Sequence, residues 1–210
     1  TGTITDDGII LVEDTMTKVR ISKVDITSQK ELPGATLQII DKDGKVVEEW
    51  ISTTEVHVVE GLKVNETYTL KETVAPTGYT IATETTFIID EMGNATTTGT
   101  KTDDGVILVE DTMTEVKVLK VDVTDGKELP GAFIQIIEKE TGKVVEEWIS
   151  TEEIHVIRGL EVNTTYILHE ETAPEGYIVA TATEFIMDEN GNITTAGTIK
   201  PEGVLIIEDA

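Results

Sequence analysis

Residues 142–150 read GKVVEEWIS, and the same nine letters occupy residues 44–52, an offset of 98 positions. A second shared segment, LPGA, occurs at residues 32–35 and again at 129–132. Self-similarity over such a distance is typical of a repeated structural unit, and it has to be recognised before a fold is assigned. We therefore predict tandem copies of one unit rather than a single large domain.

The closing segment of this unit marks where each copy ends. It reads GIILVEDTMT, GVILVEDTMT and GVLIIEDA, at residues 8–17, 105–114 and 203–210. We predict two complete repeats, residues 17–112 and 113–210, preceded by residues 1–16 as the last strand of an incomplete one. No Gly-, Ser- or Pro-rich spacer separates the complete repeats, which favours two tandem domains in a semi-rigid rod.

Composition excludes several classes of protein. The 210 residues carry 16 Lys and Arg against 41 Asp and Glu, a formal net charge of −25. An acidic surface repels nucleic acids and anionic membranes, and no apolar run is long enough for membrane insertion. The absence of Cys excludes disulfides and thiolate metal sites. The chain starts without a signal peptide and shows no sorting motif, so we expect it to be a fragment.

Short alternating runs of apolar and polar residues predict an all-β fold. Val19 and Ile21 alternate with polar neighbours, and turn-forming letters such as Pro76-Thr77-Gly78 separate such runs. No stretch keeps a helical period over three turns. Aromatic residues make up only 4% of the chain, so the core must consist mainly of aliphatic side chains. About seven strands in each repeat would form a two-sheet sandwich.

Each repeat places three ionisable side chains on the apolar face of a strand. Since side chains alternate between the two faces, Lys23 shares its face with Val19 and Ile21. The complete set is Lys23, Glu72 and Asp111 in the first repeat, and Lys120, Glu170 and Asp209 in the second. Such residues are rarely buried unless paired. Two simple interpretations stay open: a buried ion pair with the second carboxylate protonated or hydrated, and a β-bulge that turns one side chain outward.

The same segments resemble a known family. The order V-x-I/V-x-K-V-D, K-E-L-P-G-A, Y-x-L-x-E-x-x-A-P-x-G-Y and an apolar strand ending in Asp is similar to the Cna-B type domain. That domain builds collagen-adhesin stalks and pilins of Gram-positive bacteria. The resemblance covers nearly the whole chain, twice. It implies a prealbumin-like, reverse-immunoglobulin β-sandwich for each repeat. It also implies a spontaneous isopeptide bond between a first-strand Lys and a last-strand Asn or Asp, promoted by the Glu.

Carried over by position, the implied cross-links are Lys23–Asp111 and Lys120–Asp209, with Glu72 and Glu170 as catalytic proton relays. Burial would favour the neutral amine and the protonated acid that such a condensation needs. The bond would form once in each domain, so we expect self-modification rather than enzymatic turnover, with no cofactor and no metal. The Thr that usually follows the Glu is Glu171 in the second repeat, and the spacing of the motif favours Glu170.

The function predicted from these features is structural. The repeats would belong to the stalk of a cell-surface adhesin or pilus-like protein, secreted and anchored to the wall of a Gram-positive bacterium. Expected partners are adjacent repeats of the same polypeptide and, through other domains, host extracellular matrix. The alternative is a ligand-binding adhesion module that recognises host matrix or glycan, which an exposed aromatic cluster would support. No separate constellation suggests a hydrolytic enzyme.

The N-terminal segment carries an acceptor-like residue, Asp14, without a Lys of its own. Lys23 lies only nine positions further on, whereas its implied partner comes from the far end of the repeat. We therefore expect Asp14 to be a free carboxylate in this chain, although in the parent protein it would close the preceding domain. An apolar strand without partners is prone to pair with a sheet edge, so we expect this segment along an edge of the first repeat or of a neighbouring molecule.

Overall fold

The structure, a computed structural model, describes residues 3–12 and 14–210, and its regular elements there are all β-strands. The N-terminal segment forms β1 (Thr3–Ile4) and β2 (Ile10–Leu11). The first repeat forms β3 (Lys18–Asp25), β4 (Thr36–Ile40), β5 (Val46–Ile51), β6 (His57–Glu60), β7 (Thr67–Val74), β8 (Thr85–Ile89), β9 (Ala95–Thr97), β10 (Thr100–Lys101) and β11 (Val106–Asp111). The second forms β12 (Glu115–Asp122), β13 (Phe133–Glu138), β14 (Val144–Ile149), β15 (His155–Arg158), β16 (Thr165–Thr172), β17 (Thr183–Met187), β18 (Ile193–Thr195), β19 (Thr198–Ile199) and β20 (Val204–Asp209). No helix long and apolar enough to cross a membrane occurs in the described residues.

Each repeat pairs a five-stranded sheet with a four-stranded one. The five-stranded sheets have the orders β5-β4-β7-β8-β9 and β14-β13-β16-β17-β18, and the four-stranded sheets β10-β11-β3-β6 and β15-β12-β20-β19. This confirms the predicted all-β, two-sheet class. The described part of each repeat has nine strands rather than about seven. The difference arises because β9 and β10, with their counterparts β18 and β19, are separate strands of two or three residues.

The first and last strands of a repeat are neighbours in the four-stranded sheet. In the second repeat β12 and β20 run parallel, with Lys120 opposite Ile207 and Asp122 opposite Asp209. In the first repeat β3 and β11 are likewise neighbours in the four-stranded sheet. Parallel neighbours cannot be joined by a tight turn, so the remaining strands of the repeat lie between them in sequence. Any bond between the two strands would close a long loop.

An aliphatic core lies between the two sheets of each repeat. In the second repeat Val116 and Val118 of β12 are 0% and 1% exposed, and they pack with Ile134 and Ile136 of β13. Burying one such side chain contributes about 1.5–3 kcal/mol to folding. The first repeat has its own cluster, with Val19 and Ile21 in the positions of Val116 and Val118. Because side chains alternate between the two faces of a strand, Lys23 and Lys120, two positions after Ile21 and Val118, also point inward.

The described chain forms two compact units. The boundaries at residues 112 and 113 stay predictions. Within the described residues, β2 pairs with β1 and with no other strand, so the expected pairing along an edge of the first repeat was wrong, and pairing with an edge of a neighbouring molecule stays a prediction. The segment pairs with itself because its central turn folds it into a hairpin, in which the Thr5 and Gly8 amides donate to Ile9 O and Thr5 O.

Candidate functional site

The second repeat brings Lys120, Glu170 and Asp209 together between its two sheets. Lys120 lies on β12 and Asp209 ends the adjacent strand β20, two residues beyond the position opposite the lysine. Both side chains therefore point into the core from the same sheet. Glu170 comes from β16 of the other sheet, where it pairs with Ile134. The three groups thus meet across the core of the sandwich.

The contacts within this trio are direct, and its side chains are shielded from solvent. Lys120 Nζ contacts Asp209 Oδ1 and lies 3.5 Å from Glu170 Oε1. All three side chains are 0% exposed. Transfer of unpaired charges into such a site would be costly, whereas an ion pair, or a neutral amine beside a protonated acid, is tolerated there.

A backbone amide holds the glutamate in place. Pro174 to Tyr177 form a turn in which the Tyr177 amide donates to Pro174 O at 3.1 Å. Gly176 has a φ of 92°, a conformation that side chains disfavour, so the turn requires glycine there. The chain then returns past β16, and Ala180 N donates to Glu170 Oε2 at 2.6 Å. The carboxyl group is thereby oriented with its other oxygen towards the lysine.

The surroundings of Glu170 favour its protonated form. Burial raises the pKa of this carboxyl, and the adjacent Asp209 carboxyl raises it further. The Ala180 amide and the Lys120 charge act in the opposite direction without cancelling the rise in pKa. Loss of a proton from Glu170 is therefore less favourable than loss of a proton from an exposed glutamate.

The first repeat repeats most of this geometry. Lys23 Nζ lies 3.3 Å from Glu72 Oε1, and both side chains are buried. Ala82 N donates to Glu72 Oε2 at 2.6 Å, as Ala180 does in the second repeat. Asp111 ends β11, is 1% exposed, and accepts a backbone bond from Ile26 N at 2.9 Å. The corresponding bond to the backbone oxygen of Asp209 in the second repeat is 2.8 Å long.

The β-bulge considered as an alternative exists, but it lies one residue after the glutamate. In the β13–β16 pair, Phe133 is opposite Thr172 while Ile134 is opposite Glu170, which leaves Glu171 as the extra residue. Glu171 is exposed and contacts His169 Nε2 at 3.1 Å. The bulge therefore turns Glu171 to solvent and leaves Glu170 in the core. In the first repeat the extra residue is Thr73, since Thr36 and Leu37 face Val74 and Glu72.

The structure adds a tyrosine that the sequence analysis did not identify. Tyr177 OH donates to Asp122 Oδ2 at 2.8 Å, and Asp122 stands opposite Asp209 in the strand register. This hydrogen bond lowers the pKa of the Asp122 carboxyl. Tyr79 and Asp25 interact in the same way, and burial followed by the Asp25 charge raises the pKa of Tyr79. The signal was present in the sequence, because the V-D and G-Y pairs recur in both repeats.

None of the nine aromatic side chains, all of which lie in the described part, is exposed. Tyr166 and Phe185 stack in the core with centroids 5.6 Å apart. Trp148 stacks on His155 at 4.2 Å and packs against the same core, and Trp50 and His57 form the matching pair. An aromatic platform for a glycan or peptide is therefore not formed by these residues.

Comparisons with known proteins identify the fold. The family model of the SpaA prealbumin-like fold domain matches twice, at residues 17–103 and 114–201. This confirms the predicted prealbumin-like domains in two tandem copies. No curated protein matches the sequence.

Several solved structures are similar to the chain. The Bacillus anthracis TIE protein is 26% identical, with 93% of this chain and 34% of that protein covered and a TM-score of 0.49. The C-terminal fragment of the pilus adhesin SpaC from Lactobacillus rhamnosus GG is 15% identical, with 92% and 96% covered and a TM-score of 0.49. The shaft pilin SpaA of that organism is 16% identical, with 93% and 98% covered and a TM-score of 0.37.

Proposed function

Because the chain belongs to the SpaA prealbumin-like fold domain family, we propose that its repeats are structural domains of a cell-surface stalk, each closed by a self-formed isopeptide bond. The bonds join Lys23 to Asp111 and Lys120 to Asp209. One observation carries the proposal: a lysine, a glutamate and an aspartate meet in the dry interior of the second repeat, where the first strand adjoins the last. The partners are further repeats of the same polypeptide, and the setting is the wall of a Gram-positive bacterium.

The proposed reaction is a condensation. Lys120 Nζ, as the neutral amine, attacks Cγ of the Asp209 carboxyl group, so that an N–C bond forms and a C–O bond breaks. The attacking nitrogen loses one proton, the hydroxyl of the protonated Asp209 carboxyl group gains one and departs as water, and an uncharged amide replaces the amine and the acid. The contact between Nζ and the Asp209 carboxyl supplies the proximity, which in held pairs corresponds to an effective molarity of about 10⁵ M or more.

Glu170 is proposed to move the protons. Its raised pKa keeps a proton available for the leaving oxygen, and its position 3.5 Å from Nζ lets it accept one from the attacking amine. Ala180 N keeps the carboxyl oriented throughout. Each domain reacts once, so the glutamate acts on its own chain and has no turnover. Glu72 has the same role in the first repeat, with Ala82 as its backbone donor.

The consequence of these bonds is mechanical. Tension applied at the two ends of a repeat would pass from the first strand to the last through the amide, without loading the residues between them. The 87 residues 24–110 and the 88 residues 121–208 would then be unable to extend. The alternative, a module that binds host matrix or glycan, has no supporting observation among the described residues.

Single-molecule stretching from the two termini tests this function. An unlinked repeat would release about 300 Å of chain, since extended residues span at most about 3.3–3.6 Å each. We expect no step of this length from the wild-type protein, and one from each repeat of the Glu72→Gln/Glu170→Gln variant. Steps of full length from the wild-type protein would contradict the mechanical role.

A further inference from the structure

The N-terminal segment is nearly a copy of the closing segment of the first repeat. Residues 2–17 and 99–114 are identical at 14 of 16 positions, at an offset of 97. The two differences are Ile4 in place of Lys101 and Ile9 in place of Val106. Asp14 stands where the first repeat has Asp111, the proposed acceptor.

The two segments also share their backbone pairing. Thr3 and Ile4 face Leu11 and Ile10, as Thr100 and Lys101 face Leu108 and Ile107, with the same offset of 97. The turns match as well. The amide of Thr5, like that of Thr102, donates to the carbonyl oxygen four positions further on, and the carbonyl oxygen of the same threonine accepts from the glycine amide of its turn, all at 2.8–3.0 Å. The N-terminal hairpin therefore forms in the shape of β10–β11 without the sheet that β10–β11 joins.

The hairpin lacks the environment that its sequence fits. Ile10 is 68% exposed, whereas Ile107 is 0% exposed; Val12 is 83% exposed, whereas Val109 is 6% exposed. In the first repeat β11 lies between β10 and β3. In the N-terminal hairpin β2 corresponds to β11, but no strand of the described chain lies beside β2 in the place that β3 takes beside β11. The apolar face of the hairpin matches the inner face of a repeat that lacks its last two strands.

We propose that residues 2–17 are the closing hairpin of another copy of this repeat. The remaining strands of that copy precede residue 1 in the same polypeptide. The proposal extends the proposed function: Asp14 accepts the first-strand lysine of that copy. The lysine amine attacks Cγ of Asp14, the N–C bond forms, the C–O bond breaks, and one water leaves with a proton from the amine.

Lys23 is not the partner of Asp14. The two residues lie nine positions apart, whereas the proposed pairs span 88 and 89 positions and belong to adjacent first and last strands. Parallel neighbours of that kind need a long connection. Lys23 is also buried beside Glu72 in its own repeat, while Asp14 is exposed. Only a copy placed ahead of the hairpin provides a lysine at the required separation.

The test adds that copy to the intact chain. A second copy of residues 17–97 is fused directly before residue 1. Residue 1 then follows residue 97 of the added copy and takes the place of residue 98, which is also Thr, so the repeat spacing is restored. The added lysine then stands 88 positions before Asp14, as Lys23 stands before Asp111. We expect the intact mass of the extended chain to fall short of its sequence by three waters. Asp14→Ala, or Met in place of the added lysine, should restore one water and leave the other two bonds in place.

Hydrogen exchange tests the docking of the hairpin apart from its bond. The amides of residues 9–12 should exchange at least tenfold more slowly in the extended chain than in the original one. The extended chain that carries Asp14→Ala should show the same slowing. Loss of two waters together with unchanged exchange at residues 9–12 would overturn this inference while the proposed function stands. Slowed exchange with only two waters lost would retain the docking and refute Asp14 as an acceptor. Loss of no water at all would refute the proposed function instead.

Discussion

Glu170→Gln should leave the second repeat folded but without its covalent bond. The amide has nearly the shape of the carboxyl group and keeps an oxygen for the hydrogen bond from Ala180 N, which is 2.6 Å long in the structure. Because burial raises the pKa of Glu170, the neutral amide replaces a group whose neutral form is more favoured than that of an exposed glutamate. What is lost is the transfer of protons between Lys120 and Asp209.

The size of the effect follows from the loop that the bond closes. The segment from residue 120 to residue 209 spans 89 positions, and the chain-entropy relation for cross-links gives about 4–5 kcal/mol for such a loop. A domain of this size unfolds with an entropy of about 0.2 kcal/mol/K. The unfolding temperature of the second repeat should therefore fall by about 20 °C, while that of the first repeat stays unchanged.

Calorimetry together with intact mass measures both consequences. The variant should lose one water instead of two and show one transition about 20 °C lower. Glu171→Gln is the matched control, since it changes the adjacent, exposed glutamate and should alter neither mass nor stability. The reasoning fails if Glu170→Gln still loses both waters. It also fails if the bond is absent and the transition moves by only a few degrees.

Two further predictions concern pH. Lys120→Met makes the amide impossible and leaves Glu170 with a pKa above its ordinary value of 4.5. The folded state then binds this proton more tightly than the unfolded state, so the unfolding temperature of the second repeat should fall as pH rises above about 4.5; a flat or rising profile in calorimetry would refute this. Tyr177→Phe removes the hydrogen bond that lowers the pKa of Asp122 below its ordinary value of 3.8. The variant should be less stable than the parent at neutral pH, and the difference should vanish as pH falls below that value; a difference that persists in acid would point to packing instead.

The sequence was sufficient for the placement of the buried ionisable side chains, because strand alternation depends only on a period of two. The argument that turned Val19 and Ile21 inward also turned Lys23 inward, and the structure buries it. Glu170 was harder to predict, since a bulge beside it could have reversed the alternation. That the bulge falls at Glu171 depends on how β16 pairs with β13, which no local pattern encodes.

Other features depend on backbone geometry beyond the strands. The Ala180 amide reaches Glu170 only because the turn at Gly176 returns the chain past β16. The donor is a backbone N–H, so the identity of the residue as alanine does not predict the contact. The N-terminal segment was predicted as one strand seeking an edge. Its turn, with Gly8 at a φ of 76°, folds it into a hairpin instead. Local turn chemistry therefore sets the pairing within the segment, and it leaves β2 with one edge that no strand of the described chain covers.

Intact mass followed by peptide mapping tests the central claim most directly. The folded protein should weigh two waters less than its sequence, and digestion should yield two branched peptides, one joining Lys23 to Asp111 and the other Lys120 to Asp209. A mass equal to that of the full sequence, with linear peptides that contain unmodified Lys23 and Lys120, would contradict the account and leave both trios as buried ion pairs.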